Sequence, residues 1–175
     1  MFRNWRISTF NGVLLAAYFI PSWAIIAYRI MIAPVHGLYE RPSISVALFI
    51  SDHLQLASMA TVRVAWLLAL GRFTVVAFFA IFLVLTARAV IRKTGSGEEA
   101  LAIALAIGSV ISFASMWMAS QVGEAAALRL HATELLMLLG TAIVLLVERP
   151  ARPLTNPGVT ADASALEQAK LAYNR

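Results

Sequence analysis

The chain contains no cysteine. That excludes disulfides, thiolate nucleophiles, zinc–cysteine sites and iron–sulfur clusters, while leaving the redox compartment open. Charge is scarce too. Asp, Glu, Lys and Arg make up 13% of the residues, where an ordinary soluble domain carries about 25%. The signatures of soluble catalysis are missing: there is no GxSxG, HExxH, Walker loop or GxGxxG. No residue is therefore assigned to catalysis, and the chain reads as something other than a catalyst on its own. The net charge is +5, yet the basic residues form no stripe interleaved with aromatics, which argues against nucleic acid as a partner.

What the chain has in abundance is apolar side chains, 61% of its 175 residues, with a mean hydropathy of +0.80. They fall into long runs, and the basic residues cluster at the ends of those runs, as membrane topology requires. Lipid is thus the expected solvent. Arg3 and Arg6 precede an apolar stretch from Ile7 to Ala33. It is too long for a cleavable signal and reads as a retained first span. Pro21 falls inside it and should kink the helix or loosen one turn.

A helix needs about 20 apolar residues to cross the hydrocarbon layer. The stretch from Ile44 to Ile91 is about twice that length and admits two parsings. Either it forms two spans joined at Gly71-Arg72, or a surface segment followed by one span. Charge arbitrates. With four spans and an inside N-terminus, Arg3, Arg6, Arg88, Arg92, Lys93, Arg149 and Arg152 all stay on the cytoplasmic side. Five spans would force a basic cluster across the membrane. The expected fold is all-α, an integral membrane four-helix bundle with an amphipathic or re-entrant helix between spans 1 and 2. The spans run over about 7–29, 64–88, 100–120 and 124–147, with the outer segment over about 43–61. Residues 1–150 form this helical domain and 151–175 a cytoplasmic polar tail. The topology is that of a bacterial-type inner membrane protein with both termini inside. Ser51, Asp52, Gln55 and Ser58 recur at helical spacing and mark the wet side of the outer segment.

Ionisable residues at membrane depth are functional candidates by default, because hydrocarbon penalises them unless the protein pairs or hydrates them. At 1.5 Å per residue, Glu134 lies roughly 15 Å into the last span and Arg72 roughly 12 Å into the second. The two should face each other in the bundle. Glu124, His131 and Glu134 share one side of the last helix, with Thr133 a possible extension, and form with Arg72 the expected ion or proton path. Two other readings use the same residues. His53 on the outer segment and His131 would clamp one haem b axially, with Gly108, Ser109, Ser112 and Ser115 leaving room for a flat cofactor. Asp52, His53, His131 and Glu134 have ligand types suited to zinc or iron. Against covalent haem, there is no Cys-x-x-Cys-His. Trp5, Trp23, Trp66 and Trp117 fall near span ends and read as interfacial anchors. Ala100, Ala104 and Gly108 recur every fourth residue and permit close helix contact, within the bundle or with a partner.

Four helices enclose little beyond their own side chains, so association with itself or with other membrane subunits is expected. The leading functional expectation is a transport-related subunit or homo-oligomer whose buried cluster handles protons or ions. A haem b electron carrier and a purely structural subunit are the alternatives.

Overall fold

The computed structural model describes residues 7–88 and 96–148. The elements are α1 (Ile7–Ile32), α2 (Pro34–Leu38), α3 (Ile44–Phe49), α4 (Ser58–Ala87), α5 (Ser96–Val122) and α6 (Ala125–Glu148), with a single π-helical turn, Ile50–Leu54, prolonging α3. Among the described residues there is no strand. Four of these helices are long and apolar enough to cross a membrane. The chain is a multi-pass, all-α membrane protein.

The long helices run up, down, up and down. α1 packs on α4, α4 on α5 and α5 on α6, and a thinner seam between α6 and α1 closes the ring. Their outer faces are apolar: Leu67, Val110, Leu136 and Val147 are all largely exposed, as side chains solvated by lipid should be. The inward faces form two apolar clusters. One holds Leu15, Phe19, Val75, Phe79, Phe82, Leu101, Leu105 and Leu138, with Phe19 and Phe79 stacked at 5.7 Å. The other, toward the α2–α3 end, holds Ala27, Ile30, Leu38, Val46, Ile50, Ala65 and Ala69.

α1 passes through Pro21 as one uninterrupted helix. At the end remote from α2 and α3, the Glu148 carboxylate accepts hydrogen bonds from the backbone N–H groups of Ile7 (2.9 Å) and Ser8 (3.0 Å). The last helix thereby caps the first, placing negative charge where α1 presents its free donors. Glu98 and Glu99 sit in the first turn of α5, where the same electrostatics favour them. α5 turns into α6 at Gly123, whose φ of +72° is the left-handed conformation that glycine adopts without cost.

The connection from α1 to α4 departs from expectation. The sequence predicts one amphipathic or re-entrant helix over about 43–61 and a second span starting near Val64. Instead, α3 and its π turn end at Gln55, which has a left-handed φ of 42°, and α4 begins six residues earlier than Val64, at Ser58. Ser58 thus lies beyond a break, and its in-phase spacing with Ser51 and Gln55 is coincidental. Nor does the segment lie flat. Ser43, Ser45, Val46, Ala47, Phe49 and Ile50 are buried, and α3 packs against α5. Only Ser51–Met59 is exposed. The start of α3 therefore enters the bundle, closer to the re-entrant form than to the surface one.

α2 aims it there. It folds back along α1 so closely that a Cβ on Gly37 would stand 2.7 Å from the Ile30 Cα and 2.8 Å from its backbone nitrogen. Only glycine fits. An exposed ion pair, Arg29 to Glu40 at 2.9 Å, spans the same turn but contributes little in that setting. The basic residues at 3, 6, 92, 93, 149 and 152 and the tail 151–175 lie outside the described residues.

Candidate functional site

A layer of polar side chains separates the two apolar clusters, and the helix register shows how it forms. A Cβ on Gly108 would lie 3.3 Å from Leu138 and 3.7 Å from Val75, so α4, α5 and α6 share a level there. One helical turn toward the α3 end brings Arg72 on α4, Ser112 on α5 and Glu134 on α6. On α1, Trp23 follows Phe19 by one turn. Arg72, Ser112, Trp23, Glu134 and His131 are all buried to within 3% of complete.

Glu134 is held at both oxygens. Trp23 donates its indole N–H to Oε1 at 3.1 Å, and His131 Nδ1 stands 2.9 Å from Oε2. The other imidazole nitrogen, Nε2, is 3.1 Å from the backbone carbonyl of Pro42. Next in the chain, Ser43 accepts a hydrogen bond from Arg72 Nη1 at 2.9 Å. The re-entrant start of α3 thus supplies two consecutive contacts to the site, one to each side of it.

Arg72 and Glu134 share the layer, as the sequence predicts, and lie within electrostatic reach of each other. They do not form the direct pair expected of them. Trp23 links them instead: its ring faces the Arg72 guanidinium at 5.8 Å while its N–H serves the carboxylate. The indole quadrupole attracts the cation and its edge satisfies the anion, so one side chain holds both charged groups without their touching. Trp23 is the residue that sequence reasoning misplaces. Reading it as an interfacial anchor overlooks its phase, since it continues the inward line Leu15, Phe19, Trp23, Ala27 and Ile30. Trp66 and Trp117 are more than half or about half exposed and face outward. Pro42 and Ser43 carry no sequence signal, because their place depends on how deeply α3 enters.

The remaining candidates lie elsewhere. Glu124 immediately precedes α6, partly exposed, and its carbonyl accepts from Leu128 N–H at 2.9 Å. Thr133 is exposed and bonds back to the Arg129 and Leu130 carbonyls; it extends no line of polar groups. Asp52 and His53 are on the exposed π turn, with His53 stacked on Phe49 at 4.9 Å. Among the described residues, no three potential ligand side chains of His, Cys, Asp or Glu converge. His131 has both nitrogens engaged and none free for iron, so the residues do not fit a haem clamped by His53 and His131. The Ala100, Ala104 and Gly108 stripe is buried within the bundle, where Gly108 admits Leu138.

The hydrogen-bond partners of His131 constrain its protons. A carbonyl oxygen only accepts, so Nε2 must carry hydrogen toward Pro42. The other nitrogen faces a carboxyl oxygen at 2.9 Å, a contact that is attractive only with a proton in it. That proton resides either on Nδ1, giving an imidazolium and a carboxylate, or on Oε2, giving two neutral groups. One proton is thus shared by two sites in a buried setting.

Beside this centre, the seam between α1 and α6 opens as a groove of about 340 Å³ lined by Asn11, Leu14, Leu15, Tyr18, Leu136, Met137, Gly140 and Thr141. Tyr18 lies within electrostatic reach of Glu134, and Thr141 continues the buried face of α6 past Leu138.

No protein-family model matches the chain, and no curated protein or solved structure matches it either.

Proposed function

We propose that the chain is a proton-handling membrane subunit or homo-oligomer with a transport-related role, and that His131 and Glu134 are its proton-holding pair. The observation that carries this reading is the 2.9 Å Nδ1–Oε2 contact, buried and closed at its two other polar atoms by Pro42 and Trp23. Imidazole changes protonation near neutral pH. A carboxyl beside it can take or release the same proton without a large rearrangement, because both sites lie along one hydrogen bond.

The rest of the layer suits that task. Arg72 keeps a fixed positive charge close by, which stabilises the carboxylate once the proton leaves. Trp23 fixes one carboxyl oxygen, so the other is the one that exchanges. On the α3 side, Pro42 is only partly buried and adjoins the exposed turn at Tyr39 and Arg41. On the opposite side, Tyr18, Asn11 and Thr141 line the groove between α1 and α6, and Tyr18 lies within electrostatic reach of Glu134. These define the two approaches by which protons would reach and leave the pair. The reading places the chain in a bacterial-type inner membrane with both termini in the cytoplasm, from the predicted distribution of basic residues. Association with itself or other subunits follows from the small interior of four helices.

Reconstitution tests it. In liposomes with an imposed pH gradient, Glu134→Gln should abolish proton flux or remove its pH dependence. His131→Ala should do the same, while Glu124→Gln should have little effect. Nitrogen-15 spectra of His131 should show Nε2 protonated throughout and Nδ1 shared. Flux unchanged in Glu134→Gln, or a His131 whose Nδ1 never carries the proton, would overturn the reading and leave the layer as a device for setting helix register.

A further inference from the structure

The polar layer holds more hydrogen-bond donors than it uses. Arg72 Nε, Ser112 Oγ and Ser45 Oγ are buried with no hydrogen-bond partner. Ser112 and Ser45 have no exposure at all and Arg72 has 2%. Buried polar groups are nearly always satisfied, because an unmet donor forfeits its hydration without return. The register above puts Ser112 and Arg72 at the same level on adjacent helices, both facing inward. Ser45 belongs to α3, which packs on α5, and Ser43, just before that helix, already bonds Arg72. A guanidinium edge and hydroxyls are therefore contributed by three adjoining elements.

Charge points the same way. With its shared proton in place, the His131–Glu134 pair is neutral overall, and Arg72 leaves the layer with a net charge of one positive unit. A unit charge without a counter-charge is strongly disfavoured among packed helices. Both deficits, the unused donors and the excess positive charge, are met by one kind of ligand.

We propose that Arg72 and Ser112, with Ser45, bind a small monovalent anion such as chloride, held most tightly when His131 and Glu134 retain their proton. The single unit of charge calls for a monovalent anion, and the tight packing of Gly108 against Leu138 and Val75 one turn away favours a small one over a carboxylate or phosphate. The guanidinium supplies charge and an N–H, and the serine hydroxyls turn their hydrogens toward the anion. When the proton leaves, Glu134 becomes the full counter-charge of Arg72 and competes with the anion. Binding of the two is thus coupled in the same direction, a proton together with a halide.

Among the described residues, the charged and titratable groups within electrostatic reach of the pair are Arg72 from α4 and Tyr18 from α1. The buried face of α5 and the start of α3 contribute serine hydroxyls and the Pro42 carbonyl. The pH dependence rests on the proton-holding reading of His131 and Glu134; the anion site itself rests on Arg72 and the serines.

The test is a chloride titration of the full-length protein in nanodiscs, followed by chloride-35 line broadening and displaced by bromide, across a range of pH. Wild type should bind chloride, with affinity falling as pH rises. Ser112→Ala should weaken binding at least tenfold without loss of the folded bundle, and Arg72→Gln should abolish it. Glu134→Gln should keep or tighten binding and lose the pH dependence. Absence of binding at every pH, or affinity unchanged in Ser112→Ala, overturns the anion site. Binding that is lost in Ser112→Ala but stays pH-dependent in Glu134→Gln supports the anion site and instead overturns the role of Glu134 as proton holder.

Discussion

At the scale of single residues, the buried charges decide most. Trp23 serves Arg72 with its face and Glu134 with its edge, and two substitutions separate these services. Trp23→Phe keeps an aromatic face but leaves Glu134 Oε1 without its donor, a loss of about 1–3 kcal/mol; Trp23→Leu removes both and should cost more. Denaturation in mixed micelles would order the three proteins, and equal stability would show that the indole bond contributes nothing. For Arg72 and Glu134 the expected outcome is non-additive. Glu134→Leu alone strands the Arg72 charge and should cost about 3–5 kcal/mol, whereas adding Arg72→Leu should recover most of the loss. These two residues are legible in the sequence because charge inside an apolar run stands out against its surroundings. Trp23 is not, because an aromatic residue is at home at an interface, in a core or against a carboxylate, and only its phase along α1 separates the three.

At the scale of elements, the four long helices follow from their apolar runs, and their ends fall within a few residues of expectation wherever a loop or a charge pair marks them. The α1–α4 connection resists prediction because its position is set by close approach and not by periodicity. Gly37 against the Ile30 backbone is the decisive contact. Gly37→Ala should push α2 off α1, withdraw Pro42 and Ser43 from His131 and Arg72, and destabilise the fold by about 1–3 kcal/mol. The check is a loss of the shared-proton signature of His131 together with a lower unfolding midpoint; a midpoint shift alone would mean that α2 moves without carrying α3. At the other end, Glu148→Ala removes the cap on the first turn of α1. It should cost about 0.5–2 kcal/mol, read as faster amide exchange at Ile7 and Ser8 with His131 unaffected.

At the scale of the whole molecule, the bundle is a ring of four helices whose polar layer is reached from one end by the α3 insertion. The absence of native cysteine makes its topology simple to check, since any introduced thiol is unique. Gln55→Cys and Arg88→Cys should react with a membrane-impermeant maleimide from opposite faces of a sealed vesicle. Reaction from the same face would remove one crossing and with it the depth assigned to the layer. The hydrogen bond between Glu148 and Ile7 also joins residues 141 positions apart. During synthesis the first helix leaves the ribosome long before its terminal acceptor exists, so its opening turn stays frayed until α6 has inserted. Completion of the last helix thereby reaches back to order the first, and a nascent chain halted before α6 would display an unzipped leading turn that quality-control proteases can grip.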